Sequence, residues 1–116
     1  MNVLVTGAGG FVGPHLARAV RAAGGRPWGV SLEPSPPAAL TGDAALEGYA
    51  RWDVNEGPGG FEAALAWGPD AIVHLAGQAS AARSFDDPLG TFAANAGGTL
   101  ALLEAARQAK FRGPIL

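Results

Sequence analysis

Cysteine is absent from this sequence of 116 residues. No disulfide, thiolate metal site or cysteine nucleophile is available, and a reducing compartment suits the chain. Charge is sparse: Asp, Glu, Lys and Arg make up 16% of residues, with a net charge of −2. Nothing in that balance attracts nucleic acid or an anionic membrane. No apolar run approaches the ~20 residues needed to cross a bilayer. The N-terminus opens on Asn2 with no basic stretch and no cleavage site. A cytoplasmic protein without membrane or nucleic-acid partners is expected. The only histidines are His15 and His74. Neither pairs with an Asp or Glu in a metal or triad pattern, so no metal site is expected. His15 reads as helix surface and His74 as a satisfied buried histidine. Trp28, Trp52 and Trp67 are too widely spaced for a base-stacking platform and read as packing.

What is abundant is glycine (18 residues) and apolar side chains (48%). The apolar content excludes a disordered charged tail. Glycine does not recur at every third position, which excludes collagen. The length suits one domain of roughly 100–150 residues with its own core.

Met1–Thr6 is a short β-branched run, read as a buried strand closed by the glycines of Thr6–Gly13. Val12, Leu16, Val20 and Ala23 then recur at helical spacing, with Arg18 and Arg21 on another face. Gly24 and Gly25 end that helix. Pro27–Leu32 predicts a second strand. Residues 33–48 predict a loop with a helical turn at 43–47. Tyr49–Trp52 predicts a short third strand leading to Asp53. Phe61–Trp67 predicts a short helix ended by Gly68-Pro69, and Asp70–Ala76 a fourth strand. Residues 77–87 are small and polar. Asp87-Pro88 supplies an N-cap and first turn for a helix to about Lys110, ~33 Å long at the α-helical rise. Phe111–Leu116 begins a fifth strand. This alternation predicts a parallel sheet with helices on both faces.

Gly7, Gly10 and Gly13 form G-x-x-G-x-x-G between a strand and a helix, the setting a dinucleotide site requires. Gly7 permits a tight turn. Gly10 lets the backbone approach a pyrophosphate. Gly13 lets the helix pack on the sheet, and free N–H groups at the helix start favour the anion. The end of the second strand should read the adenosine ribose. There Ser31 stands where an acid would select NAD. Ser31 suits either a hydroxyl or a phosphate, while Glu33 would favour NAD if it reaches in. The plainer reading of Glu33 is a solvated loop charge. No Arg lies nearby to pair a 2′-phosphate. The cofactor is therefore expected to be NAD or NADP, with NAD slightly favoured.

The segments TGAGGFVG (6–13), Asp53-Val54, HLAGQAS (74–80) and DPLGTFAANAGGTLALLEAAR (87–107) together resemble the extended short-chain dehydrogenases/reductases. These are the NAD-dependent epimerase/dehydratase family, acting on nucleotide sugars. The resemblance covers nearly the whole chain and implies an α/β fold, a Rossmann-type doubly wound parallel sheet. Residues 78–95 look most like the branch of GDP-mannose 4,6-dehydratase and GDP-4-keto-6-deoxymannose reductase, with UDP-glucose 4-epimerase close behind. By this resemblance Gly7, Gly10, Phe11 and Val12 would line the pyrophosphate, and Asp53 and Val54 would meet the adenine. Leu75, Ala76 and Gly77 would pass beneath the adenosine ribose and towards the nicotinamide. Gln78 and Ser80 would face the nicotinamide and sugar pocket. Asn95 of N-x-x-G-T would stand beside the site. The plainer reading of Asp53 is a turn former, and that of Asn95 a polar residue in the core. Helix 88–110 would be a homodimer surface.

The same resemblance places proton-transfer chemistry on a Ser/Thr and a Tyr-x-x-x-Lys. The one tyrosine, Tyr49, and the one lysine, Lys110, are not four apart. Residues 1–116 are therefore expected to be an incomplete NAD(P)-binding N-terminal domain. The catalytic region and the C-terminal substrate domain would be missing, the sheet cut off in its fifth strand, and the piece inactive alone. The full-length parent would transfer a hydride between NAD(P) and C4 of a nucleotide-linked hexose. A non-catalytic dinucleotide-binding module is the alternative.

Overall fold

The computed structural model describes residues 1–116. Its strands are β1 (Asn2–Thr6), β2 (Arg26–Ser31), β3 (Tyr49–Arg51) and β4 (Ala71–His74). Its helices are α1 (Gly13–Ala22), α2 (Glu62–Ala66), α3 (Ala81–Asp86), α4 (Pro88–Phe92) and α5 (Gly98–Gln108). The four strands form one sheet in the order β3-β2-β1-β4, and every pairing is parallel. The predicted α/β doubly wound sheet is the observed fold. No helix is long and apolar enough to cross a membrane.

Side chains leave a strand alternately to its two faces, and both faces of this sheet are covered. Leu4, Trp28, Val30 and Ile72 face one core, which Trp52, Phe61, Ala64 and the α5 residues Ala101, Leu102 and Ala105 complete. Val3 and Val5 face the other core with Ala8, Ala17, Leu40 and Ala44. The indoles serve packing, as expected: Trp52 lies 4.1 Å from Phe61, ring centre to ring centre, and Trp28 6.4 Å from Trp67.

Four expectations need correction. Residues 81–86, read as an irregular polar stretch, form α3, because Ser80 caps it by accepting from the Arg83 N–H at 3.3 Å. The long helix from Pro88 ends at Gln108 and is interrupted by a π-helical turn over Ala93–Gly97. Asn95, Gly97 and Gly98 are poor helix formers, and their weakness tolerates the extra residue of that turn. The helical turn placed at 43–47 is replaced by two 3-10 turns, Ala38–Leu40 and Gly42–Ala44. The fifth strand is a single parallel bridge, Ile72 to Ile115, with Leu116 N–H donating to Ile72 O at 3.0 Å. Pro114 and Gly113 precede it, and proline has no N–H for a longer ladder.

Helix α1 reaches the sheet because Gly13 has no side chain. A Cβ there would lie 1.9 Å from the Ala8 carbonyl oxygen. Backbone cannot yield as a flexible side chain would, so Gly13→Ala is expected to lower stability by ~3 kcal/mol or more, the upper end for overpacking. The shift of the urea midpoint at constant m-value measures this.

Candidate functional site

The carboxyl ends of all four strands meet at one edge of the sheet. β1 lies in the centre, with β2 on one side and β4 on the other. The chain leaves these two neighbours in opposite directions, which is where doubly wound sheets bind ligands. A cavity of about 650 Å³ opens there. Gly7 and Gly10 line it from the turn after β1, and Ser31, Leu32 and Glu33 from the exit of β2. Trp52, Asp53, Val54 and Asn55 line it after β3, and Leu75, Ala76, Gly77, Gln78 and Ala79 after β4. Arg83, Asp87, Gly90 and Ala94 close it from the helical side. A second hollow of about 630 Å³ near Leu103, Lys110 and Phe111 is lined by no strand end and no glycine turn.

Gly7 is the pivot of the first wall. Its φ of +67° is left-handed, and a Cβ there would lie 2.7 Å from the Ala76 nitrogen. Beyond it α1 begins without a cap: Val12 offers no side-chain acceptor, and no acidic residue sits in the first turn. The Phe11 and Val12 N–H groups find no acceptor in the chain. An uncapped helix start with free N–H groups suits a phosphate. The side chains of Phe11 and Val12 do not line the cavity. Phe11 is 88% exposed and packs against His15, 5.4 Å between ring centres, so His15 is surface as expected.

Ser31 is buried, and its Oγ accepts the Gly9 N–H at 3.1 Å. It therefore braces the glycine turn as well as lining the cavity. The Glu33 carboxylate also reaches this turn: a Cβ on Gly9 would lie 2.6 Å from Glu33 Oε2. Tyr49 Oη donates to the Glu33 carbonyl at 2.8 Å and fixes that position. Burial and the Glu33 charge push the Tyr49 phenol up, so it remains a donor at neutral pH. Asp53 serves both of its readings. Its Oδ1 accepts from Asn55 N–H at 2.9 Å and Asn55 Nδ2 at 3.0 Å, capping a 3-10 turn over Val54–Glu56. Its Oδ2 forms no bond. Val54 is held by α5: a Cβ on Gly98 would lie 2.7 Å from Val54 Cβ.

Asn95 stands behind the β4 exit rather than in the cavity wall. Its Oδ1 accepts the Gln78 N–H at 2.7 Å, and its Nδ2 donates to the Gln78 carbonyl at 3.0 Å. The Gln78 side chain donates to Thr91 Oγ1 of α4 and to the Ser80 carbonyl of its own loop, each at 3.0 Å. Ser80 is spent on the α3 cap. Asp87 caps α4 as predicted, accepting from Gly90 N–H at 2.9 Å. Arg83 is the one cation among the lining residues, against Glu33, Asp53 and Asp87. Sequence reasoning missed Arg83, because its place depends on α3, which a run of small and polar residues does not announce.

The model of the NAD dependent epimerase/dehydratase family matches residues 3–114. The chain belongs to this family. It is 38% identical over 115 residues to GDP-6-deoxy-D-mannose reductase from Pseudomonas aeruginosa, covering 99% of this chain and 32% of that protein. Its fold is similar to UDP-glucose 4-epimerase from Thermus thermophilus, solved as a complex with NAD, with a TM-score of 0.82 and 31% identity. That match covers 98% of this chain and 36% of the epimerase chain. The Bifidobacterium longum UDP-glucose 4-epimerase, in complex with NAD+ and UDP, matches with a TM-score of 0.83 and 25% identity, covering 98% of this chain and 36% of that one. The chain thus spans about a third of the length of these relatives. The resemblance read from residues 78–95 is to enzymes of GDP-linked deoxymannose, and the Pseudomonas relative is named GDP-6-deoxy-D-mannose reductase.

Behind the cavity lies one half-buried titratable ring. His74 Nδ1 is 2.6 Å from Thr6 Oγ1, and its Nε2 is 3.2 Å from Thr99 Oγ1. Both ring nitrogens are partnered, as expected. Burial holds the His74 pKa below its ordinary 6.5. As pH falls below 6.5, the unfolded chain binds a proton that the folded chain refuses. This contribution to stability is complete above that ordinary value and declines as pH drops towards the lowered folded value. Urea midpoints measured from about pH 7.5 down to about pH 5 are expected to fall more steeply for the parent than for His74→Gln.

Proposed function

We propose that this chain forms the dinucleotide-binding part of an oxidoreductase that acts on a nucleotide-linked sugar. The observation carrying this reading is the glycine turn. It meets the β4 exit at backbone distance and leaves the start of α1 uncapped at the mouth of the cavity. The bound nicotinamide would supply hydride acceptance and donation, here at C4 of the hexose. The residues of this chain bind and orient. Gly7 and Gly10 admit the pyrophosphate to the backbone, and the free Phe11 and Val12 N–H groups meet its charge. Asp53 Oδ2 accepts from the adenine amine. Leu75, Ala76 and Gly77 form the floor under the ribose. The Tyr-x-x-x-Lys pair of the family has no counterpart among these residues, so these 116 residues alone are expected to bind without turnover.

Glu33 supports NAD over NADP. Its carboxylate lies at the glycine turn, where it accepts from ribose hydroxyls and repels a 2′-phosphate. Glu33→Ala is expected to raise the Kd for NAD roughly tenfold or more, as loss of a charged hydrogen bond implies. The Kd for NADP should stay level or fall. Titration calorimetry with both dinucleotides tests the reading as a whole: failure of the parent to bind either one would falsify it.

A homodimer is part of the same proposal. Phe85, Leu89, Phe92, Leu100 and Leu103 expose 86, 83, 72, 67 and 45% of their surface along α3–α5. Such a stripe on a helix seeks a partner, and an isologous pairing of two copies covers both stripes at once. Leu89→Asp with Leu100→Asp should shift the mass found by light scattering to the monomer and leave the Kd for NAD unchanged.

A further inference from the structure

The hydrogen bonds around His74 have one consistent direction. Thr99 Oγ1 lies 2.6 Å from the Asn95 carbonyl. A carbonyl only accepts, so the single Thr99 hydroxyl proton goes there. At its 3.2 Å contact with His74 Nε2, Thr99 Oγ1 must therefore accept, and Nε2 carries the proton. The neutral ring then accepts at Nδ1 from the Thr6 hydroxyl. Thr6 Oγ1 in turn accepts the Ala76 N–H at 3.2 Å. A single chain of donors runs from Ala76 through Thr6, His74 and Thr99 to the Asn95 carbonyl. Asn95 then clamps both backbone groups of Gln78. Both ends of residues 76–78 are thus tied to the same imidazole.

We infer that His74 is a positioning residue for the Ala76–Gln78 segment, acting through its Nε2–H on Thr99 and thence on Asn95. The inference rests on the dinucleotide reading for its functional consequence, since this segment is the cavity floor. A ring that only filled space would be replaced by Leu at little loss. Asn95 lies within the π-turn, and its carbonyl accepts both a backbone N–H and the Thr99 hydroxyl, so the Thr99 contact bears directly on the residue that clamps Gln78.

Three variants separate the contacts. Gln places an amide N–H where Nε2 stands and keeps the donor to Thr99. Asn places an acceptor near Nδ1 and keeps only the Thr6 side. Leu keeps volume alone. Two readouts apply: the Kd for NAD, and amide exchange of Gln78 without any dinucleotide, each in variants whose circular dichroism matches the parent. The expected result is that His74→Gln stays close to the parent in both. His74→Asn and His74→Leu should lose Gln78 protection and bind NAD about tenfold more weakly. Parent-like behaviour of His74→Leu would overturn the inference, as would rescue by Asn but not by Gln. Should the parent itself bind no dinucleotide, loss of Gln78 protection in His74→Leu would still uphold the positioning role and sink only the cofactor reading.

Discussion

The contact on which this structure depends is between two stretches of backbone. At Gly7 the chain leaving β1 passes so close to the chain leaving β4 that a methyl group would sit 2.8 Å from the Leu75 carbonyl carbon. Parallel pairing of the two strands brings both exits to the same edge. The closeness of the exits there makes the glycine turn and the Leu75–Gln78 segment walls of one cavity rather than two separate loops. The ladder continues past the strands to hold them so: Leu75 N–H donates to Thr6 O at 3.1 Å, and Ala8 N–H to Val30 O at 3.2 Å.

Electrostatics divides the cavity. Acids collect at the ends of β2 and β3, where Glu33 and Asp53 line the cavity. Between them and the helical side, the start of α1 offers N–H groups with no acidic residue in the helix's own first turn. Arg83 stands opposite. A dinucleotide has the same polarity along its length: donor-rich adenosine, anionic centre, then the nicotinamide. Ser31 ties these regions together, because its hydroxyl lies on a strand exit and receives a glycine-turn amide.

Much of this was legible in the sequence. The strands β1 and β4 are dense in β-branched residues and bounded by glycine or proline, so period and punctuation agree. The glycine turn carries its own context. Asp87-Pro88 states a helix start through local capping chemistry. What remained hidden depends on contacts distant in sequence. Helix α3 rests on one serine cap, which reads equally well as a polar loop. The π-turn leaves only weak helix formers as a trace, and these suit a plain helix with poor propensity too. Asn95 could be named but not placed, because its role as a clamp needs Gln78, seventeen residues away. Glu33 is exposed, in keeping with the solvated reading, but nothing local shows that Tyr49 will hold its backbone and that Gly9 will leave room for its carboxylate.

The π-turn has a consequence for how far this protein can be stiffened. Helices are commonly strengthened by exchanging glycine for alanine. Two glycines stand side by side here, and they respond in opposite ways. Around Gly97 a methyl group meets nothing within 4 Å, so the exchange is free to tighten the helix. At Gly98 the methyl group strikes Val54, and that wall of the cavity would move with it. One residue tunes rigidity and its neighbour sets the spacing between helix and cavity. Lineages adapting to heat thus have one position open to them and the next one closed.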